Sequence, residues 1–482
     1  MPTPGLSLPA EELRAFGYAV VDAIVDRHEH LRELPVASIP SRTEMEALLR
    51  TGIPEGPSAP GDVLEEVLGS VFANTTRVDH PRFFAYVPGP GNVVGVMADA
   101  LAAGFNPFVG SWVAGAGAAE VELVTVDWLR QICGLPPEAG GLFVSGGSMA
   151  NLTALATARH QLPEEAWHDA VIYASDQAHS AVTRGARILG FAPDRVRTIR
   201  SDDGLRMDMA ALRRCIAEDR EKSLRPFCVV GNAGTTNSGA IDPLDAMADL
   251  CEAEGLWFHV DGAYGAAAAM SNRARPLLAG LGRAHSIALD PHKWLFQPFE
   301  CSCVIVRKGT LLRETFRAVP ACLKDSDLTV EEVNFRDWGV QLTRGFRALK
   351  LWMSLKVFGA AAFRQAIDWG IMLAEHAEAR LRSNPQWEIV TPAQIGIVTF
   401  RYRDDARTPM EMDTLQRRIT EALTAGGYAM LSTTELRGRV VLRLCTINPH
   451  TAMEEIEQTI AILEEEGARC AATATDISTT RA

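Results

Sequence analysis

Residues 286–302 read SIALDPHKWLFQPFECS. An apolar run ends at Asp290, and His292, Lys293 and Trp294 follow at once. Lysine is a surface residue in most folds, carrying an amine with an ordinary pKa of about 10.4. At the end of an apolar strand it is either a stranded charge or a working nucleophile, because a neutral amine condenses with carbonyl groups. The surrounding pattern decides where that strand lies. GLFVSG, AVIYAS, RVRTIR, FCVVGNAG, LWFHVDG, SIALD and SCVIVRKG are strand candidates. SMANLTALATARHQ, SAVTRGARILG, MDMAALRRCIAED and DPLDAMADLCEAEG are helix candidates between the earlier ones. Strand and helix alternating at this spacing predict an α/β unit with a central, mainly parallel seven-stranded sheet. Ligands of such sheets bind beyond the carboxyl ends of the strands. Ser145, Asp176, Asp261 and Asp290 all fall there.

Further out, LPAEELRAFGYAVVDAIVDRHEHLREL opens the chain as a helix, with Leu13, Phe16, Val20 and Ile24 at helical spacing. A stretch broken by Pro and Gly leads to a short helix, DVLEEVLGSVF. Residues 1–92 are too extended to bury that apolar stripe alone, so they are expected to pack on a partner such as a second subunit. Residues 93–365 are expected to form the large α/β domain. Residues 366–470 change texture, with WEIVTP, IGIVTFRYR and RVVLRLCTI as strands and two helices, EMDTLQRRITEALTAGG and TAMEEIEQTIAILEEEG. They predict a smaller α+β domain, with a capping box at Thr451 and Glu454. The small, polar tail 471–482 is expected to be disordered.

The 482 residues hold 60 acidic against 47 basic side chains, a formal charge of -13. That balance argues against nucleic acid or an anionic membrane surface as a partner. The N-terminus lacks the basic-then-apolar pattern of a signal peptide, and no charge-free apolar stretch reaches about 18 residues. A cytoplasmic protein with no membrane span is expected. The nine cysteines include no CxxC pair and read as reduced thiols.

If Lys293 is a working amine, lysine-bound pyridoxal phosphate is the commonest cofactor held in this way. It requires a carboxylate for the pyridine nitrogen, a phosphate cradle, a flat group against the ring and a proton donor. Asp261, closing the strand in LWFHVDGAYG, offers the carboxylate, and Gly262 and Ala263 are small enough to admit a ring. A capping role fits the same aspartate. FVSGGSMAN offers the cradle: a strand, glycines including Gly147, then Ser148 and a helix, where free N–H groups and the helix dipole favour an anion. It matches neither GxxxxGKS/T nor GxGxxG, which speaks against a nucleotide-binding module. His179, at a helix start after a strand, can stack on a ring. His292 is a second candidate for proton delivery. GNAGTTNSGAID brings the hydroxyls of Thr235 and Thr236 to another strand end.

HPRFFAYVPG, GSWVAGAGAAEVELVTVDWL, VSGGSMANL, SDQAHS, HVDGAYG, DPHKWL and RGFRALKLW closely resemble the pyridoxal-phosphate-dependent group II amino acid decarboxylases, particularly the aromatic-L-amino-acid decarboxylase branch. The resemblance covers nearly the whole chain. It implies the type I aminotransferase-like fold and a homodimer with active sites at the subunit interface, the N-terminal segment wrapping the partner. It also implies that Lys293 bonds to pyridoxal 5'-phosphate, that Asp261 partners the pyridine nitrogen, and that His179 stacks on the ring and reaches the substrate carboxylate. Gly147, Ser148 and Asp290 match phosphate-side positions, Asp290 standing where some relatives carry Asn. Ala263 matches the small residue against the ring, and Thr235 or Thr236 a threonine near the cofactor.

Two features depart from the family pattern. In RAVPACLKDSDLTVEEVNFRDW, decarboxylating relatives usually carry a tyrosine that protonates the substrate carbon after carbon dioxide leaves; Cys322 stands there instead. Cys322, His292, His179 or water then has to supply the proton. Loss of that tyrosine accompanies oxygen-dependent aldehyde formation in some relatives. Tyr86, Pro88, Gly89, Phe108, Gly110 and Trp112 match positions near the substrate. Glycines among aromatics predict room for a large flat side chain such as indole, unless bulk has moved from position 110 to 108. Arg82 leaves glutamate- or aspartate-like substrates open. The implied activity is decarboxylation of an aromatic L-amino acid (tryptophan, phenylalanine, tyrosine or DOPA type) to its amine. The alternatives are an oxygen-dependent aldehyde synthase, a transaminase and a decarboxylase of a non-aromatic amino acid. A non-catalytic dimer of the same fold is expected to lose Lys293 or Asp261, and both are present.

Overall fold

A computed structural model describes residues 5–318 and 332–479 of the chain. Three helices come first: α1 (Ala10–His30), α2 (Arg42–Leu49) and α3 (Pro60–Glu66). None of them contains a buried residue, and Leu13, Tyr18, Val21 and Val25 of α1 lie exposed. Helices α4 (Val93–Phe105) and α5 (Trp112–Cys133) lead into the central sheet.

The sheet is laid down as β1 (Gly140–Val144), α6 (Gly147–His160), β2 (Ala170–Ser175), α7 (Ser180–Ile188), β3 (Val196–Ile199), α8 (Met209–Glu221), β4 (Arg225–Asn232), α9 (Leu244–Glu254), β5 (Trp257–Asp261), β6 (Ser286–Leu289) and β7 (Ser302–Val306). All seven strands expected from the apolar runs are present, in the order β1-β7-β6-β5-β4-β2-β3. Only β7 runs against its neighbours. Strands β2, β6 and β7 are buried along their whole length, which is why they read as continuous apolar runs without alternation. Asp261 is in register with Asn232 on one side and Ala288 on the other, so the polar ends of β4, β5 and β6 meet at one sheet edge.

Beyond α10 (Thr310–Phe316), the 35-residue α11 (Ala348–Arg382) bends at Gly359, whose φ of 75° favours glycine. The domain boundary expected near residue 365 falls inside this helix. Then come β8 (Trp387–Gln394), β9 (Ile397–Tyr402), α12 (Pro409–Ala425), β10 (Ser432–Leu436), β11 (Arg439–Cys445) and α13 (Met453–Thr479). The second sheet is antiparallel, in the order β10-β11-β9-β8.

Two elements differ from the sequence expectation. Strand β10, STTEL, was not anticipated: it is a polar, half-buried edge strand with little apolar signal. It forms a hairpin with β11 through Arg437 and Gly438, both at positive φ, the two-residue loop that suits the twist of paired strands. The Thr451–Glu454 capping box does not form. Thr451 donates its hydroxyl to the Pro81 carbonyl, and Glu455 accepts from the Ala452 N–H. Helix α13 runs from Met453 to Thr479.

Trp294 joins the two sheets. It is fully buried, stacks on Tyr264 at 5.8 Å, and lies under Gly370 of α11 and Gly396 of the β8–β9 turn. A Cβ added at those glycines would sit 3.5 and 3.4 Å from the indole. Trp294→Ala is therefore expected to destabilise the protein by about 3–5 kcal/mol, read as a lower urea midpoint of the cofactor-free protein.

Candidate active site

The turn after β1 feeds straight into α6, whose first N–H groups have no partner inside the helix. Gly147 is required by close approach: a Cβ there would lie 2.8 Å from Asp290 Oδ2. Asp290 sits two residues beyond Ala288 and is buried. Its Oδ1 accepts from the Ser302 hydroxyl at 2.6 Å, and its Oδ2 lies 3.1 Å from Lys293 Nζ. The Lys293 backbone N–H donates to the Asp290 carbonyl at 2.9 Å, closing a turn that aims the amine back across the sheet edge.

Asp261, at the end of β5, is 6% exposed. Its Oδ1 accepts from the Ala263 N–H and its Oδ2 from Asn151 Nδ2, both at 3.2 Å. His179 caps α7, its Nδ1 accepting from the Ala181 N–H at 3.1 Å, so a neutral ring carries its proton on Nε2. His292 accepts the Cys301 N–H on Nδ1 at 3.2 Å, which leaves Nε2 facing Asp290 Oδ2 at 3.7 Å. Burial, aided by the Lys293 charge and opposed by Asp290, holds His292 below the ordinary imidazole range, and so neutral.

These residues share one cavity of about 250 Å³. Gly147, Ser148, His179, Asp261, Ala263, Asp290, His292 and Lys293 all line it. Thr235 does not. Its hydroxyl is buried against Ser238 at 3.0 Å within the turn, and Thr236 forms the wall in its place. Cys322 lies outside the described residues. None of Tyr86, Pro88, Gly89, Phe108, Gly110 and Trp112 lines the cavity within this chain. Tyr86 is largely exposed beside a different hollow, and Pro88 is buried. Trp112 packs at the start of α5, its N–H held by Asn334.

The space expected from the two glycines is already filled. The Phe299 ring lies 2.5 Å from where a Gly89 Cβ would be, and the Phe108 ring 2.7 Å from where a Gly110 Cβ would be. Phe108 thus occupies the space that Gly110 leaves. Arg82 is committed elsewhere, to the carbonyls of Tyr428 and Arg32 and to Glu455, so it is not available to a substrate side chain at the cavity. A different arginine was missed. Arg443 is 2% exposed, donates to the carbonyls of Thr236 and Tyr86, and keeps one guanidinium nitrogen without a hydrogen-bond partner among the described residues. Nothing local in RVVLRLCTI marks it; only the fold brings β11 under Thr236. Asn151 and His259 were also missed, although Asn151 lies one helical turn after Gly147 and His259 two strand residues before Asp261.

The family described as "Pyridoxal-dependent decarboxylase conserved domain" matches residues 43–403. The chain belongs to the pyridoxal-dependent decarboxylase family. It is 50% identical over 455 residues to an aromatic-L-amino-acid decarboxylase of Bacillus atrophaeus, covering 94% of this chain and 95% of that protein. It is 31% identical to a phenylacetaldehyde synthase of Arabidopsis thaliana, covering 95% and 96%. Among solved structures, Oryza sativa TDC with PLP and tryptamine superposes with a TM-score of 0.91 at 28% identity, covering 97% of this chain and 99% of that one. The fold is that of the type I pyridoxal-phosphate enzymes, and the protein is a pyridoxal-phosphate-dependent amino acid decarboxylase.

The site fits the family's cofactor. An amine, a buried carboxylate and a helix N-terminus opened by two glycines line one cavity, and a Cβ at Gly146 would meet no atom within 4 Å.

His259 carries a pH signature of this decarboxylase site. Burial pushes its imidazole down to about 4, against the opposing pull of the Asp261 charge. The unfolded chain takes up the proton near the ordinary value of about 6.5, so between the two values the unfolded state binds more protons. Stability from this residue is full above pH 6.5 or so and falls by roughly 3 kcal/mol as the pH drops towards 4. His80, also pushed to about 4, acts in the same window. The measurement is therefore the difference between wild type and His259→Phe in urea unfolding across that range, and the variant should show the shallower slope.

Proposed function

We propose that this chain decarboxylates an aromatic L-amino acid to its amine and carbon dioxide. The observation that carries the proposal is the convergence of Lys293, Asp290, Asp261 and His179 on one cavity. The 50% identity to an aromatic-L-amino-acid decarboxylase supports the substrate class. Pyridoxal phosphate, when bound, accepts the electron pair released as the bond from Cα to the carboxylate breaks. Lys293 would anchor it covalently, with Asp290 holding the amine at the sheet edge. The N–H groups that open α6, with Ser148, would take the phosphate. Asp261 would hold the ring nitrogen, and Ala263 leaves space beside it. His179 would cover the ring and orient the substrate carboxylate. His292, neutral with its N–H on Nε2, would offer a hydrogen bond from the cavity wall.

We also propose a homodimer in a reducing, cytoplasmic setting. The exposed apolar residues of α1 need a partner surface, and Cys133, Cys228, Cys251, Cys301, Cys303 and Cys445 are buried thiols that form no disulfide. Sedimentation should give twice the chain mass, and Leu13→Asp combined with Val21→Asp should shift it towards the monomer.

A second reading is favoured by Cys322 and by the similarity to a phenylacetaldehyde synthase. In that reaction one oxygen and one water are consumed as the amino acid gives aldehyde, carbon dioxide, ammonia and hydrogen peroxide. A panel of tryptophan, phenylalanine, tyrosine and DOPA, scored for carbon dioxide, amine, aldehyde and peroxide, separates the two. Amine without peroxide is the expected result. Lys293→Ala should lower turnover by about 100-fold or more. It should also abolish borohydride fixation of cofactor to the protein, checked by mass spectrometry. Cofactor still fixed at another lysine would overturn the assignment.

A further inference from the structure

Behind Asp261 runs a buried chain of hydrogen bonds that the reaction as described does not use. Trp257 Nε1 donates to Ser286 Oγ at 2.9 Å. Ser286 Oγ lies 2.8 Å from His259 Nδ1, and His259 Nε2 lies 2.8 Å from Asn151 Oδ1. Asn151 Nδ2 reaches Asp261 Oδ2 at 3.2 Å and the Gly147 carbonyl at 2.8 Å. Asn151, His259 and Ser286 are 1%, 0% and 0% exposed, so water does not compete for these groups.

The direction of every bond follows from the two ends. An indole N–H only donates, and an ionised carboxylate only accepts. Two acceptors, the Gly147 carbonyl and Asp261, face one end of the Asn151 amide, so that end is the NH2. The amide oxygen then faces His259 Nε2, which must carry the proton. Nδ1 is left bare to accept the Ser286 hydroxyl, and the Ser286 carbonyl, 3.2 Å from Nδ1, receives no proton from it. All donors therefore point towards Asp261. Chains of this kind polarise one another, and each donor to a carboxylate favours its ionised form.

We propose that Asn151 and His259 are positioning residues that hold the Asp261 carboxylate in place for the cofactor's ring nitrogen, so that the proton the two share stays on nitrogen. They touch neither the ring nor the substrate; they act through Asp261. The inference rests on the reading of Asp261 as the ring-nitrogen partner. Removing a donor leaves one Asp261 oxygen without its partner and moves the shared proton from nitrogen to oxygen, with no other bond made or broken.

The test uses holoenzyme loaded with ring-¹⁵N pyridoxal phosphate at mildly alkaline pH, reading the ¹⁵N chemical shift, with cofactor affinity measured by fluorescence titration. Asn151→Leu and His259→Phe should move the shift towards the unprotonated value and weaken cofactor binding by about 10-fold or more, the range for losing a buried hydrogen bond to a charged group. His259→Gln, which can still donate to Asn151 and accept from Ser286, should restore both. Ser286→Ala, one bond further out, should give a smaller shift in the same direction and serves where the larger changes impair folding. Asp261→Asn should lose the protonated signal. If Asp261→Asn loses it while the Asn151, His259 and Ser286 variants keep wild-type shifts and affinities, the positioning role is wrong and the Asp261 reading stands. If Asp261→Asn keeps the signal, both fall together.

Discussion

The parallel pairing of β5 with β6 does not stop where the strands end. The Gly262 N–H donates to the Ala288 carbonyl at 3.0 Å, and the Asp290 N–H donates to the Ala263 carbonyl at 2.8 Å. This extension locks residues 261–263 to residues 288–290, and the next turn carries Lys293 on the Asp290 carbonyl. Carboxylate, small residue and amine are thus parts of one hydrogen-bonded frame. A slip of one residue in that register would turn His259 and Asp261 to the wrong face of the sheet together, because side chains alternate along a strand. Strand β7 reinforces the frame from the other side, its Ser302 hydroxyl holding Asp290.

The electrostatics of the cavity follow from the same frame. An aspartate beside a helix N-terminus proposed to take a phosphate looks unfavourable in isolation. Here Asp290 faces Ser302 and Lys293, and its charge is matched by the amine before any ligand arrives. Asp261 is set apart, with its own donors from Ala263 and Asn151. Each carboxylate of the site is satisfied by different partners, so the two do not compete for one cation. Trp294, next to Lys293 in sequence, fixes the lysine by being buried where the two sheets meet, which ties the geometry of the amine to the packing of β8, β9 and α11.

Much of this was legible in the sequence. Strands buried on both faces announce themselves as apolar runs, and the polar residue that ends each run marks the ligand edge of a parallel sheet. That is how Asp261, Asp290, Lys293 and the Gly147–Ser148 turn could be placed at the sheet edge, while their roles towards a cofactor rested also on the family resemblance. Thr235 and Thr236 show the limit: two adjacent hydroxyls are equivalent in sequence, and the turn closed by Ser238 decides which one faces the cavity. Strand β10 escaped because an edge strand with polar residues has no apolar period to read.

The glycines at 89 and 110 show the limit more sharply. A missing side chain in the sequence says only that the residue itself leaves space. Whether that space stays empty depends on atoms distant along the chain or folded back locally, and Phe299 and Phe108 fill it. Arg82 is bound to Tyr428, Arg32 and Glu455 while Arg443 is buried behind Thr236 for the same reason, since a guanidinium reaches whatever the fold sets beside it. The sequence by itself determined the order of strands and helices and the residues at their ends, because hydrophobic period and chain connectivity are local. Only the tertiary structure decided which donors stand behind Asp261, which hydroxyl faces the cavity and where the pocket has room, because those depend on contacts between side chains far apart in the chain.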